Sequence, residues 1–126
     1  MSEPLLLDSH ALLWFLEGES RRIRATLRRR IEGAQVLVSV ASLWEIAIKV
    51  GIGKLEAPDD LPERVEKLGF ELLPVSAEHA WRVRRLPLHH RDPFDRLLIA
   101  QAQSERLAIV SADSAFEAYG VPVVWN

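Results

Sequence analysis

Leu5-Leu6-Leu7-Asp8-Ser9-His10-Ala11-Leu12-Leu13-Trp14 decides the fold. The three leucines between Pro4 and Asp8 read as a buried strand. Ser9–Glu17 then reads as a helix closed by Gly18. An acid at such a junction lies beyond the carboxyl end of a strand, where open α/β sheets form their sites.

The alternation continues along the chain. Ser20–Glu32 reads as an Arg-rich amphipathic helix, with Ile23, Leu27 and Ile31 on one face and Gly33 as its stop. Val36–Ser39 is a second strand, and Ala41–Val50 a helix ended by Gly51 and Gly53. Glu56–Pro62 is a loop whose Asp59 and Asp60 can cap a helix over Pro62–Leu68. Phe70–Pro74 reads as a strand, Ser76–Leu86 as a helix stopped before Pro87, and Leu88–Arg91 as a polar connection. Pro93–Arg106 is the longest helix, Leu107–Val110 a strand, Ser114–Tyr119 a short helix and Val121–Trp125 a closing strand. Strands alternating with helices imply a mostly parallel sheet covered on both faces.

The chain has 126 residues and a formal net charge of −2. That suits one domain over residues 1–126, large enough to bury roughly two-thirds of its unfolded surface. With no cysteine there is no disulfide, thiolate zinc site or cysteine nucleophile, which fits a reducing cytosol. The opening Met1-Ser2-Glu3-Pro4 does not read as an export leader, because its apolar run meets Asp8 at once. No apolar stretch approaches the ~20 residues of a membrane span. The near-neutral balance argues that any polyanion contact is local.

Four acids stand beside apolar segments: Asp8, Glu45, Asp95 and Asp113. Asp8 and Asp113 follow strands, whereas Glu45 and Asp95 interrupt apolar helical stretches. Carboxylates there are costly unless their charge is compensated. A hard cation such as Mg²⁺ or Mn²⁺ is the obvious compensator, and such a cluster can hydrolyse phosphodiesters. Each acid also has a plain reading. Asp8 and Asp113 can be helix caps. Glu45 can pair with Lys49 on a stripe with Ser42 that faces water. Asp92 before Pro93 reads as an N-cap, which puts Asp95 in the first turn, where the helix dipole favours negative charge. The joint pattern favours a metal cluster with Asp92 in a supporting role.

His10, His89 and His90 read as surface or supporting groups ahead of metal ligands. There is no Walker loop, no GxGxxG and no HExxH. Arg21, Arg24 and Arg28 form a basic ridge that is either a solvated face or a contact for phosphates or an acidic peptide. Arg91 and Arg96 border the acids and are placed to meet a substrate. Leu12, Leu13, Trp14 and Phe15 make the first helix apolar nearly all round. That implies either deep burial or a protein interface.

The segments 5–14, 39–49, 92–101 and 109–113 together resemble a PIN-domain nuclease of the VapC toxin branch, in order and along the whole chain. The resemblance implies a PIN-like three-layer α/β/α fold with Asp8, Glu45, Asp95 and Asp113 as the metal-binding acids. It sets Ser111 as a hydroxyl beside the last acid. It further implies a Mg²⁺- or Mn²⁺-dependent cytoplasmic endoribonuclease that leaves 5′-phosphate and 3′-hydroxyl ends. A VapB-like antitoxin and a homodimer are the partners it implies. Two rivals are a phosphoacceptor receiver module and a catalytically silent scaffold. A receiver needs an acidic pair after the first strand and a late lysine. Here Asp8 has no acidic neighbour and no lysine follows Lys67.

Overall fold

The structure, a computed structural model, describes residues 3–18 and 20–126; the reading of Met1 and Ser2 falls outside them. In chain order the elements are β1 (Leu5–Leu7), α1 (Ser9–Glu17), α2 (Ala25–Glu32), β2 (Val36–Ser39), α3 (Val40–Gly51), α4 (Leu61–Lys67), β3 (Glu71–Leu73) and α5 (Ala77–Arg82). A 3-10 turn, Val83–Arg85, follows α5. Then come α6 (Pro93–Glu105), β4 (Ala108–Val110), a second 3-10 segment (Ser114–Tyr119) and β5 (Val123–Val124).

Five parallel strands form one sheet in the order β3-β2-β1-β4-β5. Leu6 is central, in register with Leu37 on one side and Ile109 on the other. Leu5 and Leu7 join a core with Leu12, Leu27, Ile31, Ile46 and Val65, so α1 to α4 cover that face. Leu6 joins Leu98, Ile99, Ile109 and Phe116, so α6 and the 3-10 segments cover the other. This is the expected α/β/α sandwich, and β1 can be leucine throughout because both its faces are dry. No helix among the described residues is long and apolar enough to cross a membrane.

Successive strands step from β1 to β2 to β3 on one side, then restart with β4 on the other. The order therefore reverses between β1 and β4, which opens a crevice beyond their carboxyl ends. At its base the Asp8 N–H donates to the Val110 carbonyl at 3.2 Å.

Two expected helices differ in extent, and one expected cap is not made. The helix expected over Ser20–Glu32 starts at Ala25 instead, after a turn. Asn126 explains the shorter helix: its Oδ1 accepts from the Arg24 N–H at 2.8 Å and its Nδ2 donates to the Arg22 carbonyl at 2.7 Å. The far end of the chain thus meets backbone groups that a longer helix would use. The helix expected over Ser76–Leu86 tightens into the 3-10 turn after Arg82, where the Arg96 side chain collects the carbonyls. Asp60 sits at the N-cap of α4 but makes no side-chain cap bond; its Oδ1 accepts from Arg64 Nε at 2.8 Å instead.

Candidate functional site

Asp8 combines both of its sequence readings. It is buried, and its Oδ1 caps α1 by accepting from the Ala11 N–H at 2.9 Å. At the other end of α1, Gly18 closes the helix at φ 68°, a left-handed conformation that suits glycine. Burial pushes the Asp8 carboxyl above its usual range; hydrogen bonds from Ser111 and Ala11 and the charge of His10 oppose that, while Glu45 adds to it. Ser111, at the end of β4, also accepts from the Asp113 N–H at 2.9 Å. One buried hydroxyl therefore joins the two strand-end acids. Asp113 caps the following 3-10 segment through Ala115 at 2.9 Å, and its side chain is half-exposed.

Glu45 is buried on α3. Its Oε1 accepts from the Ser9 hydroxyl at 2.6 Å and its Oε2 from Lys49 Nζ at 2.9 Å. The Lys49 pairing expected from the spacing is present, but the stripe does not face water. Ser42 and Glu45 are 2% and 8% exposed, so that side of α3 faces inward. The buried Ser42 hydroxyl, a turn before Glu45, has no hydrogen-bond partner among the described residues. Glu45 holds the Lys49 amine above its usual range, with Asp92 and Asp95 adding to the effect.

Asp92 caps α6, accepting from the Asp95 N–H at 2.9 Å ahead of Pro93. Asp95 is raised from 3.8 to about 7, first by burial, then by the charge of Asp92, with Glu45 and Asp8 adding and His90 opposing. Asp8 and Glu45 thus lie near enough to Asp95 for their charges to act on it. His90 joins Asp113 to them. Its Nε2 lies 2.9 Å from Asp95 Oδ2 and 3.2 Å from Asp113 Oδ2. Of the two roles the sequence left to His90, surface or supporting, the geometry gives the second: it stands between two of the acids. Its signal was weak because the ring is placed by tertiary contacts. The His90 N–H donates to Tyr119 Oη at 2.7 Å, and Arg96 Nη1 donates to the His90 carbonyl at 3.2 Å.

This donor set fits a divalent cation. His90, Asp95 and Asp113 each offer one ligand atom within 4.8 Å of the others. A cation would offset both the burial and the neighbouring charges that raise Asp95. Carboxylate oxygens suit Mg²⁺ and Mn²⁺.

The arginines divide. Arg91 is exposed beside Asp92. Arg96 is turned to the protein itself, donating to the carbonyls of Val83, Leu86, Pro87 and His90 at 2.9 to 3.3 Å. That geometry corrects its reading as a substrate contact. Arg28 donates to the Phe15 carbonyl at 2.7 Å and lies 4.2 Å from the centroid of the Phe15 ring. It therefore ties down the C-terminus of α1, a helix length from Asp8. Because α2 starts at Ala25, Arg21 and Arg24 do not share its face with Arg28.

The apolar face of α1 also needs correcting. Leu12, Leu13 and Phe15 are 0%, 5% and 6% exposed and lie within the core, so they are not open to a partner. Trp14 is half-buried, stacked on His10 at 5.4 Å and tilted against Trp125 at 5.8 Å.

The chain matches the PIN domain family model over residues 5–122 and belongs to that family. Its fold is similar to a chain of VapBC2 from Rickettsia felis, bound to a DNA fragment from their promoter. The TM-score is 0.72 at 14% identity, covering 98% of this chain and 99% of that one. It is also similar to a chain of DNA-bound VapBC from Salmonella typhimurium (0.71, 18% identity, 98% of each chain) and of the toxin–antitoxin system VapBC-5 from Mycobacterium tuberculosis (0.60, 22% identity, 99% and 100%). At these identities the likeness is one of fold. No curated protein matches the chain.

Proposed function

We propose that this protein is a VapC-type toxin, a Mg²⁺- or Mn²⁺-dependent endoribonuclease that leaves 5′-phosphate and 3′-hydroxyl ends. The observation that carries this reading is that Asp95 and Asp113 offer ligand atoms within 4.8 Å of each other at the strand-order reversal of a PIN fold, with Asp8 and Glu45 near enough for their charges to act on Asp95. When bound, the cation lowers the pKa of a water and neutralises phosphoryl oxygens. Asp8, Glu45, Asp95 and Asp113 are its proposed ligands.

The chain's own groups set up that chemistry. Ser111 and the Ala11 N–H hold Asp8 in place. Ser9 and Lys49 fix the two oxygens of Glu45. Lys49, paired with Glu45, and exposed Arg91 are the proposed contacts for RNA phosphates.

The similar structures from Rickettsia felis and Salmonella typhimurium are DNA-bound VapBC complexes, which supports an antitoxin as partner here. Arg21, Arg24 and Trp14 are the proposed contacts for its tail. A homodimer is supported by an apolar stripe along α3 and its C-cap, where Val40, Trp44, Ile48 and the capping Ile52 follow at four-residue spacing and are 43%, 61%, 41% and 62% exposed. The functional test is incubation of the purified chain with RNA. Cleavage in Mn²⁺ that stops in EDTA supports the reading; cleavage that persists in EDTA overturns it.

A further inference from the structure

We propose that His90 is a nitrogen ligand of the cation held by Asp95 and Asp113, and that it biases the site towards Mn²⁺ over Mg²⁺. The inference rests on the metal-dependent reading above and adds a residue that the acidic pattern does not contain.

The geometry is that of a coordination shell. Six donors arranged octahedrally at about 2.1 Å from a cation put adjacent donors about 3.0 Å apart. His90 Nε2 lies 2.9 Å from Asp95 Oδ2 and 3.2 Å from Asp113 Oδ2. Two of the three edges of one face of such a shell thus already have that spacing, and the three atoms all lie within 4.8 Å of one another.

The His90 backbone is held at two points and its ring packs against a third group. The His90 N–H donates to Tyr119 Oη at 2.7 Å, and Tyr119 Oη donates to the Pro87 carbonyl at 2.9 Å. Arg96 holds the His90 carbonyl. The imidazole meets the Phe116 ring edge-on at 5.8 Å, and Phe116 is fully buried. With the backbone fixed at both its N–H and its carbonyl, and the ring set against Phe116, the imidazole is directed at the two acids. Ligation through Nε2 moves the ring proton to Nδ1, which gives up only a long 3.3 Å contact from the Asp92 N–H.

The chemistry sets the selectivity. Mg²⁺ keeps oxygen ligands and its waters, whereas later divalent metals accept imidazole more readily. A mixed set of one imidazole and several carboxylates therefore favours Mn²⁺ more than four carboxylates would.

The test uses the full chain with Mn²⁺ and Mg²⁺ as separate probes, without RNA. Calorimetric titration of wild type should show tighter binding of Mn²⁺. His90→Ala and His90→Gln should weaken Mn²⁺ binding about tenfold or more, weaken Mg²⁺ binding less, and keep the wild-type circular dichroism. Pulsed electron paramagnetic resonance of the Mn²⁺-loaded wild type should show a ¹⁴N coupling that changes when histidine is labelled with ¹⁵N. No such coupling overturns the assignment, whether or not the variants fold. So does a His90→Ala protein that binds Mn²⁺ as tightly as wild type or tighter; in the latter case the imidazole only stands in for the cation. Nitrogen coupling without RNA cleavage leaves the ligand assignment standing and overturns the nuclease reading. A wild type that binds no Mn²⁺ overturns both.

Discussion

The Ser9 hydroxyl donates to Glu45 Oε1 across 2.6 Å, with both side chains buried. The residue that opens α1 thus fixes an acid carried on α3. Ser9→Ala leaves that oxygen without its donor and frees Glu45 to turn towards Lys49. RNA cleavage should fall roughly tenfold and stability by about 1 kcal/mol. Ser9→Thr should restore most of the rate. Single-turnover cleavage and denaturant melts check this, and a Ser9→Ala enzyme at wild-type rate contradicts it.

Asp95 titrates at about 7 in the folded chain instead of 3.8. Between those values the folded chain keeps a proton that the unfolded chain has released. Metal-free stability should therefore fall as pH rises from 3.8 to about 7. Asp95→Asn should flatten this slope, leaving the part that raised Asp8 contributes, and stabilise the metal-free protein at pH 8 by about 1–2 kcal/mol, after allowing for solvent at the half-open site. Denaturation in EDTA across this range is the measurement. A wild-type stability that rises through the window would contradict the assignment.

Asp92 raises Asp95 by its charge and caps α6 by its shape. Asparagine also caps, so Asp92→Asn should leave the melt nearly unchanged and narrow the pH window of Asp95. Asp92→Ala should cost about 1 kcal/mol. If both variants melt alike, the cap carries no weight.

Arg96 gathers carbonyls from Val83 to His90, and so holds the connection that carries His90. Arg96→Met should cost about 1–3 kcal/mol, since several part-buried carbonyls lose a charged donor. Arg96→Lys should not rescue it, because an ammonium lacks the planar fork. An unchanged melting temperature with a raised KM would restore Arg96 as a substrate contact.

Arg24 meets Asn126 through its backbone N–H, so Arg24→Ala should keep the fold. Its association with an antitoxin should slow, most at low salt. Arg28→Ala should instead lower stability, because the side chain holds the Phe15 carbonyl. An Arg24→Ala on-rate equal to wild type at every salt concentration would make this a solvated face.

Much of the fold is legible in the chain because its signals are local. Leu5–Leu7 is a dry strand by composition, Asp8 and Asp92 cap helices by position, and Gly18 and Pro93 mark helix ends. Sequence patterns fail where distant groups decide. Asn126 shortens the helix after Ser20, and Arg96 and Tyr119 place His90. The periodicity of α1 leaves burial and exposure equally open, since a two-sided environment and a partner surface produce the same run of apolar residues. Burial settles Leu12, Leu13 and Phe15 into the core.

The central claim is that four carboxylates drive metal-dependent RNA hydrolysis, and the most direct measurement is cleavage of RNA in Mn²⁺ by Asp8→Asn, Glu45→Gln, Asp95→Asn and Asp113→Asn variants. Each should keep the wild-type circular dichroism, lose cleavage by at least about a hundredfold, and leave wild type alone yielding 5′-phosphate and 3′-hydroxyl ends. A folded Asp8→Asn variant that cuts RNA at the wild-type rate contradicts the account.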